Sequence, residues 1–293
     1  ADSITAGTNQ LTITGGLESM SNAPQLLMTG RKGQRLGHSQ LFDHMFYDGL
    51  EDAYTGAAMG TFAQKTADEY GLTREEMDAF AIESLTRAQR AIDEGLNHRE
   101  IAAVTIRTRR GEQCVSVDEQ PHKANLEKIP QLRPAFAETG TITPANSSSI
   151  SDGASALLLA SEMAAASNGL TPKARIVAHA RHSLAPESFT LAPIGAVEKV
   201  LNKADWNAKD VDLWEINEAF AMVTMLTTRA LDLDPACVNI HGGACAQGHP
   251  IGSTGSRVIV TLMHALQHYG KKRGVAALCI GGGEATAVAI ELI

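Results

Sequence analysis

The chain has 293 residues, of which 44% are hydrophobic and 20% are charged. A chain of this length can bury a substantial core without disulfides or structural metals, which excludes mini-proteins and disulfide scaffolds. Its net charge of −8 and its 4% of aromatic residues argue against a surface for phosphate backbones or a platform for base stacking. We therefore expect no nucleic-acid partner.

The first ten residues contain neither a basic nor an apolar region, so we expect no signal peptide. Residues 1–6 are typical of the end of a helix that stops at Gly7, and no Met precedes them. We therefore expect that the sequence begins inside a longer protein. No run approaches the roughly 18 apolar residues of a membrane helix, so we expect no membrane partner. The four cysteines lack the paired spacing of secreted proteins, which favours reduced thiols and a cytoplasmic location.

The first half of the chain predicts few regular elements. A strand over 11–14 ends in the turn Gly15-Gly16. Thr73 and Glu76 form a capping box ahead of apolar residues at helical spacing. The predicted elements are strands over 11–14 and 101–107, a helix over 73–95, and irregular structure over 17–62 and 111–149. Long irregular segments such as these often carry function.

From residue 151 the pattern changes to a regular alternation of helices and strands. The Ala/Leu-rich segment 154–168 predicts a helix that is closed by Gly169. The predicted helices are 154–168, 193–203, 218–231 and 253–269, and the predicted strands are 174–178, 211–216, 238–240, 275–280 and 286–292. This alternation predicts an α/β fold in which helices cover a sheet. We find no internal repeat in the sequence.

Three turns that follow predicted strands carry reactive side chains, and ligands gather beyond strand ends in such sheets. Asn217 can orient a water or a carbonyl, although an Asn before a helix is more often an N-cap. His249 lies between Gly248 and Pro250, a setting that suits acid–base or oxyanion chemistry. The spacing of the glycines around His249 matches no phosphate-binding glycine motif. Cys279 precedes three glycines and is either an activated thiol or a small core residue.

A zinc site is an alternative use of one of these turns. Cys237, His241, Cys245 and His249 recur every four residues and would form one stripe on a continuous helix. The intervening glycines and Pro250 interrupt such a helix. We therefore expect no metal.

Taken together, the motifs resemble those of the thiolase family over essentially the whole chain. NEAF at 217–220, GGACAQGHPIG at 242–252 and CIGGG at 279–283 are similar to the three C-terminal thiolase motifs. GGLESMSNAP at 15–24 is similar to the family's GGMESMSNAP segment. Further counterparts are DAFA at 78–81, LRPAF at 132–136 and NSSSISDGA at 146–154.

The resemblance implies an acyltransferase that forms or cleaves a carbon–carbon bond between acyl-CoA units, by Claisen condensation or its reverse. Two acetyl-CoA give acetoacetyl-CoA and CoA, or a longer 3-ketoacyl-CoA is cleaved. Cys279 matches the base that exchanges a proton with Cα of acetyl-CoA. His249 matches the histidine that activates the nucleophilic thiol and binds the thioester oxygen. Asn217 matches the residue that holds a water in that oxyanion hole, and the Gly281 amide matches a donor of the other hole. A thiolate base would work near neutral pH if dipoles or a histidine lowered its pKa.

The same resemblance implies residues that hold the substrate. Ser148 matches a serine near the pantetheine arm of CoA, Phe136 and Phe220 match its apolar neighbours, and Met59 matches a residue of the acyl pocket. Basic candidates for the nucleotide end of CoA are Arg31, Lys32, Arg35, Arg109, Arg110 and Lys123, although exposed basic loops are more often merely solvated. Phe62 and Gln64 are unusual for the family. Ala58 stands where acetyl-specific members often have a His, which leaves the preferred acyl length open.

The nucleophilic cysteine of the family has no match in this sequence. In thiolases it lies just before the helix whose end resembles residues 1–6. We therefore expect a thiolase fragment that needs a further segment for turnover. The alternative is a non-catalytic CoA-binding fragment or an inactive truncated relative.

The resemblance also implies a layered α-β-α-β-α core of two similar halves, the first of them incomplete, with an inserted loop domain. We predict a first half over 1–170, with the loop domain at about 21–150, and a second half over 171–293. CoA and its thioesters are the expected substrates, with no cofactor. The family is usually dimeric or a dimer of dimers, so we expect a homodimer or homotetramer.

Overall fold

A computed structural model describes residues 1–109 and 111–293. The strands are β1 Leu11–Ser19, β2 Gln25–Leu26, β3 Phe42–Asp43, β4 Val104–Thr108, β5 Gly111–Val115, β6 Asp152–Ala160, β7 Ala174–Ser183, β8 Leu213–Ile216, β9 Arg273–Ile280 and β10 Glu284–Leu292. The helices are α1 Asp2–Thr5, α2 Met59–Glu69, α3 Arg74–Asp93, α4 Gln120–Lys123, α5 Glu162–Ser167, α6 Ala192–Ala204, α7 Ala221–Ala230, α8 Ala244–Gln247 and α9 Ile251–His268. Among the described helices, none is long and apolar enough to cross a membrane.

The core is layered around α9. A four-stranded sheet has the order β7-β10-β9-β8, with β8 and β9 parallel and the other pairs antiparallel. Helix α6 covers one face of this sheet, and α9 covers the other. The opposite side of α9 packs on a two-stranded antiparallel sheet of β1 and β6. Helix α9 is therefore the middle layer between two sheets.

The outer face of the two-stranded sheet is apolar and open. Ile13, Leu17 and Leu158 are 79%, 72% and 51% exposed, and Ile13 lies opposite Leu158 in the register. The inner face carries the alternate residues, including Ser155, whose Oγ donates to the carbonyl of Ser253 in α9 (2.9 Å). The two faces of β6 thus show the alternation of a strand that is covered on one side.

Several predicted elements are confirmed. The capping box of α3 forms, since Thr73 accepts from the amide of Glu76 at 3.2 Å and the Glu76 carboxylate accepts from the amide of Thr73 at 2.9 Å. Helix α6 begins with Pro193 in its first turn. Gly169 has a φ of +64°, as expected of a residue that ends a helix.

The helix predicted over 154–168 is wrong. Its first part is β6, and only Glu162–Ser167 is helical, with Ser161 accepting from the amide of Ala164. Ala and Leu favour helices, but pairing with β1 and packing on α9 decide the conformation here.

The turn predicted at Gly15-Gly16 is also wrong, because β1 continues through both glycines. A Cβ at Gly16 would collide with the carbonyl oxygen of Gly252, and one at Gly15 with that of Ser155. The glycines therefore permit close backbone approach within a strand.

Smaller differences concern the extent of other strands. The predicted strand 101–107 is the shorter β4, which forms an exposed hairpin with β5 inside the segment predicted to be irregular. The predicted strand 238–240 is reduced to one bridge between Trp214 and Val238.

Candidate active site

Asn217 and Cys279 lie at the carboxyl ends of two neighbouring parallel strands, β8 and β9. Ile216 of β8 pairs with Ala277 of β9, and the amide of Asn217 donates to the carbonyl of Ala277 at 2.9 Å. Cys279 follows two residues later and is 6% exposed. Parallel pairing thus brings an amide and a thiol, 62 positions apart in sequence, to one end of the sheet.

His249 faces Asn217 from the turn that precedes α9. Its Nε2 lies 3.3 Å from Nδ2 of Asn217, and its Nδ1 lies 2.6 Å from Oγ1 of Thr254. The Thr254 hydroxyl also donates to the carbonyl of Pro250 at 3.0 Å. Since a hydroxyl has one hydrogen, Nδ1 of His249 is then the donor to Oγ1, and Nε2 keeps its lone pair toward Asn217.

The electrostatic setting keeps His249 neutral. Burial, and secondarily the positive charge of Arg257, lower the pKa of His249 to about 4. At neutral pH the imidazole is therefore uncharged, with Nε2 able to accept a proton.

Asn217 is not an N-cap, so the commoner interpretation of this residue is wrong. Helix α7 begins at Ala221, and its N-cap position is Phe220. The side chain of Asn217 is 1% exposed, and its Oδ1 has no hydrogen-bond partner within the described residues. A buried acceptor without a partner is costly in a folded chain and points to a bound donor.

The Cys279 thiol differs from the expectation of an activated thiolate. Burial raises its pKa to about 12. The lowered thiol pKa expected from dipoles or a nearby histidine is therefore not found in this structure. The group is a thiol that carries its proton at neutral pH.

Met59, Gly281 and Phe220 line the same region. A Cβ on Gly281 would lie 2.9 Å from Sδ of Met59. Met59 is the first residue of α2 and packs with Phe220 and Cys279 in one apolar cluster. The glycine after β9 thus allows the methionine to lie directly on the turn.

Phe136 and Ser148 come from the loops that cover this cluster. The rings of Phe136 and Phe220 meet edge to face at 6.2 Å between centroids. A Cβ on Gly60 would collide with the Phe136 ring, so the end of the ring lies directly against the start of α2. The Oγ and the amide of Ser148 both donate to the carbonyl of Ala219, each at 3.0 Å. All eight predicted site residues therefore lie in two adjoining groups, one around His249 and one around Met59.

Sequence reasoning missed two residues that support the site. Thr254 holds Nδ1 of His249, and a hydroxyl one turn into the helix that follows a candidate histidine would have been a signal. Gln64, noted only as unusual, accepts from the amides of Thr141 and Ile142 at 2.9 and 3.1 Å and so orders the loop before Ser148.

The residues of the zinc alternative do not form a metal site. Helix α8 is only four residues long, and Gly248 has a φ of +90°. In the described part of the chain, no group of three or more His, Cys, Asp or Glu side chains could hold a metal ion.

Two family models match the chain. "Thiolase, N-terminal domain" covers residues 1–163, and "Thiolase, C-terminal domain" covers residues 170–292. This chain belongs to the thiolase family.

Individual thiolases agree with this assignment. A "Probable acetyl-CoA acetyltransferase" of Dictyostelium discoideum is 46% identical over 292 residues, which are 99% of this chain and 70% of the relative. The crystal structure of the Bacillus anthracis acetyl-CoA acetyltransferase has a TM-score of 0.95 at 40% identity, over 99% of this chain and 74% of that chain. The Acat5 thiolase of Ascaris suum, crystallised in complex with coenzyme A, has a TM-score of 0.93 at 40% identity, over 100% and 75%.

The thiolase fold of the prediction is thus confirmed, whereas the domain limits at 21–150 and 170 stay predictions. The candidates for the nucleotide end of CoA are exposed on this thiolase: Arg31, Lys32, Arg35, Arg109 and Lys123. Arg110 lies outside the described residues. Lys123 pairs with Glu119 at 3.2 Å.

Proposed function

We propose that this chain, together with a further segment that supplies the nucleophilic thiol, catalyses the thiolase reaction, the reversible condensation of two acetyl-CoA to acetoacetyl-CoA and CoA, or the cleavage of a longer 3-ketoacyl-CoA. Membership of the thiolase family and the names of its relatives support the reaction. The observation that carries the site is the contact of 3.3 Å between Asn217 and a neutral His249. Once Nε2 of His249 has taken the proton of the nucleophilic thiol, it can donate, beside a water held by Asn217, to a developing negative charge on a thioester oxygen.

The proton transfers follow from the states of the side chains. In the cleavage direction the nucleophilic thiol, which the further segment supplies, gives its proton to Nε2 of His249. Its sulfur then attacks C3 of the 3-ketoacyl-CoA. The C2–C3 bond breaks, and the electron pair stays on C2 as the enolate of acetyl-CoA. The Cys279 thiol donates its proton to C2, and its thiolate then takes the proton of the incoming CoA. The CoA sulfur attacks the acyl thioester on the nucleophilic sulfur, and the released sulfur takes back the proton from Nε2 of His249. Because its pKa is raised to about 12, the Cys279 thiol carries its proton at neutral pH, which supports the role of proton donor in this direction.

Oxyanion stabilisation is the second part of the proposal. His249 and a water held by Asn217 bind one thioester oxygen, and the amide of Gly281 binds the enolate oxygen at the other centre. One preorganised donor of this type contributes about 10² to 10³ in rate. Ser148, Met59, Phe136 and Phe220 hold the pantetheine arm and the acyl group.

No metal or cofactor is needed for these steps, because side chains supply each proton transfer. Dialysis against a chelator is therefore expected to leave the rate unchanged. A loss of activity that added zinc or magnesium restored would contradict this part of the proposal.

The test uses two polypeptides, because this chain spans 70% to 75% of the length of its relatives. One is the 293-residue chain, and the other is a long form of the relatives' full length that contains it. We expect the long form to cleave acetoacetyl-CoA with CoA, and the 293-residue chain alone to be inactive because it lacks the nucleophilic thiol. In the long form, Cys279→Ala and His249→Ala are each expected to abolish the activity. The matched control is Cys114→Ala, since Cys114 is exposed on the β5 hairpin. Full activity in either site variant would refute the assigned roles.

We further propose a homodimer or homotetramer. Four apolar residues that flank or join β2 and β3 are exposed: Leu27, Met28, Leu36 and Leu41, at 47%, 52%, 95% and 66%. Apolar surface of this extent supports an interface between copies. Light scattering after size exclusion is expected to give two or four times the mass of one chain, and a monomer at micromolar concentration would contradict the proposal.

A cytoplasmic location is likewise proposed. Its support is that all four cysteines are free in the described structure, as is usual in a reducing compartment. Fractionation of cells that express the long form tests it, and recovery in an organelle would overturn it.

A further inference from the structure

Glu218 follows Asn217 directly, and its carboxylate lies inside the protein. The residue is 1% exposed. Its oxygens accept hydrogen bonds from Oγ of Ser84 at 2.7 Å, from Nδ2 of Asn239 at 2.8 Å and from the amide of Cys245 at 3.1 Å. Among the described residues, no Lys or Arg forms an ion pair with it. Burial raises the pKa of the Glu218 carboxyl group, and the three hydrogen bonds, with the charge of Arg257, act against this rise and stabilise the carboxylate.

Two of these bonds hold the turn that leads to His249. The Cys245 amide is in the first turn of α8, so Glu218 takes the place of the N-cap side chain that this helix lacks. Ser84 Oγ in turn accepts from the amide of Gly243 at 3.0 Å. A Cβ on Gly243 would collide with the Glu218 carboxyl group, so only glycine lets the backbone come this close.

The third bond holds the strand that leads to Asn217. Asn239 accepts from the amide of Ile216 at 2.8 Å and donates to the carbonyl of Ile216 at 2.8 Å. Its φ is +47°, a left-handed conformation in which these bonds support it. One carboxylate thus links the end of β8, helix α3 and the start of α8.

Packing alone does not fix this carboxylate. A cavity of about 190 Å³ adjoins Glu218, and its lining includes Phe80, Ser84, Met225 and Val238. Because no side chain of the described residues fills the space on that side, the hydrogen bonds decide where the carboxylate lies.

We propose that Glu218 is a positioning residue that sets the distance between Asn217 and His249 by tying the two segments that carry them. This inference rests on the proposed function of that pair. Glu218 touches no reacting atom. It acts through the turn 243–248 on one side and through the peptide bond to Asn217 on the other.

The test measures His249 itself in the 293-residue chain, by NMR titration of histidine-labelled protein. Variants are Glu218→Gln, Ser84→Ala and the control Thr86→Ala, whose hydroxyl in the same helix donates only to the carbonyl of Ile82 at 2.8 Å. His249→Asn assigns the signal. If the turn loosens and water reaches the ring, the pKa of His249 rises from about 4 toward its ordinary value, by about one unit or more.

We expect this rise in Glu218→Gln, a smaller rise in Ser84→Ala, and none in Thr86→Ala. A variant that merely loses stability keeps the low pKa in its folded fraction. If Glu218→Gln does not fold, Ser84→Ala decides. An unchanged His249 pKa in every variant that folds, with circular dichroism of the parent, overturns the inference.

A second measurement separates this inference from the proposed function. In the long form we expect kcat of Glu218→Gln to fall by about 10²-fold, the loss that a displacement of roughly 1 Å can cause, with KM for CoA changed less than twofold. If Glu218→Gln instead raised KM for CoA and left kcat unchanged, the positioning role would be contradicted. If the parent long form has no thiolase activity, the proposed function fails, and the titration of His249 still tests the inference.

Discussion

The side-chain nitrogen of Asn217 lies 3.3 Å from Nε2 of His249, across 32 positions of sequence. The contact joins the end of β8 to the turn before α9, and Thr254 fixes the opposite side of the imidazole at 2.6 Å. The histidine is therefore held at both nitrogens, and its orientation depends on two residues from different elements.

Replacing Thr254 tests the hold at Nδ1. Thr254→Val keeps the shape of the side chain but removes the acceptor, so Nδ1–H loses its partner and the preferred tautomer. We expect kcat of the long form to fall by about 10²-fold, at the lower end of a general base contribution. Steady-state thiolysis of acetoacetyl-CoA measures it. Thr254→Ser restores the hydroxyl and is expected to restore most of the rate, so an equally poor Ser variant would contradict this explanation.

The stability of the chain depends on pH through buried histidines. Burial, with His268 and Arg90, lowers the pKa of His241 to about 4 from 6.5. The unfolded chain therefore binds this proton more readily than the folded chain between these values. Stability is retained above about pH 6.5 and falls as the pH drops toward 4, by up to about 3 kcal/mol for one such group.

The variant His241→Asn isolates this contribution. We expect the drop in Tm between pH 7 and pH 5 to be smaller than in the parent, because the variant has no proton to bind at 241. His38→Asn at an exposed position is the control. Thermal melts at the two pH values measure it, and an equal drop in all three proteins would show that His241 does not contribute.

Thiol reactivity reports the environment of the cysteines. Burial raises the pKa of Cys279 to about 12, so only about one thiol in 10⁴ to 10⁵ is ionised near pH 7.5. Cys114 is exposed and is expected to react with iodoacetamide at least 10²-fold faster. Mass spectrometry of timed digests measures both rates. Equal rates in the folded chain would contradict burial, and equal rates in urea are the expected control.

Gly60 and Phe136 form a contact that tolerates no added carbon. A Cβ at Gly60 would collide with the ring, so Gly60→Ala must displace Phe136. We expect a loss of about 1 to 3 kcal/mol in unfolding free energy, typical of overpacking, and a raised KM for the acyl-CoA in the long form. Urea unfolding and kinetics measure these changes.

Two further variants make the Gly60 prediction specific. Adding Phe136→Leu to Gly60→Ala is expected to recover part of the stability, because the smaller side chain makes room. Gly30→Ala, where the nearest atom lies at 3.7 Å, is expected to stay within about 0.5 kcal/mol of the parent. A loss in the double variant equal to the sum of the losses of Gly60→Ala and Phe136→Leu, each measured alone, would contradict a direct clash.

The sequence predicts the alternation of the second half well, since α6, α9, β9 and β10 are long and strongly patterned. It fails at β6, because an Ala/Leu-rich strand carries helix formers, and only its partner β1 reveals the period of two. The candidate site follows from motifs at strand ends. The roles of Thr254 and Glu218 do not, because their contacts come from tertiary packing between distant segments.

The turn around His249 packs closely against the two-stranded sheet of β1 and β6. A Cβ on Gly153 of β6 would lie 2.7 Å from Pro250, and the Glu18 carboxylate of β1 accepts from the amide of Gly252 at 3.0 Å. His249 therefore lies where the turn before α9 contacts the sheet of β1 and β6. Because this contact can separate while each sheet keeps its hydrogen bonds, we expect the long form to lose activity on heating before the circular dichroism of its strands changes.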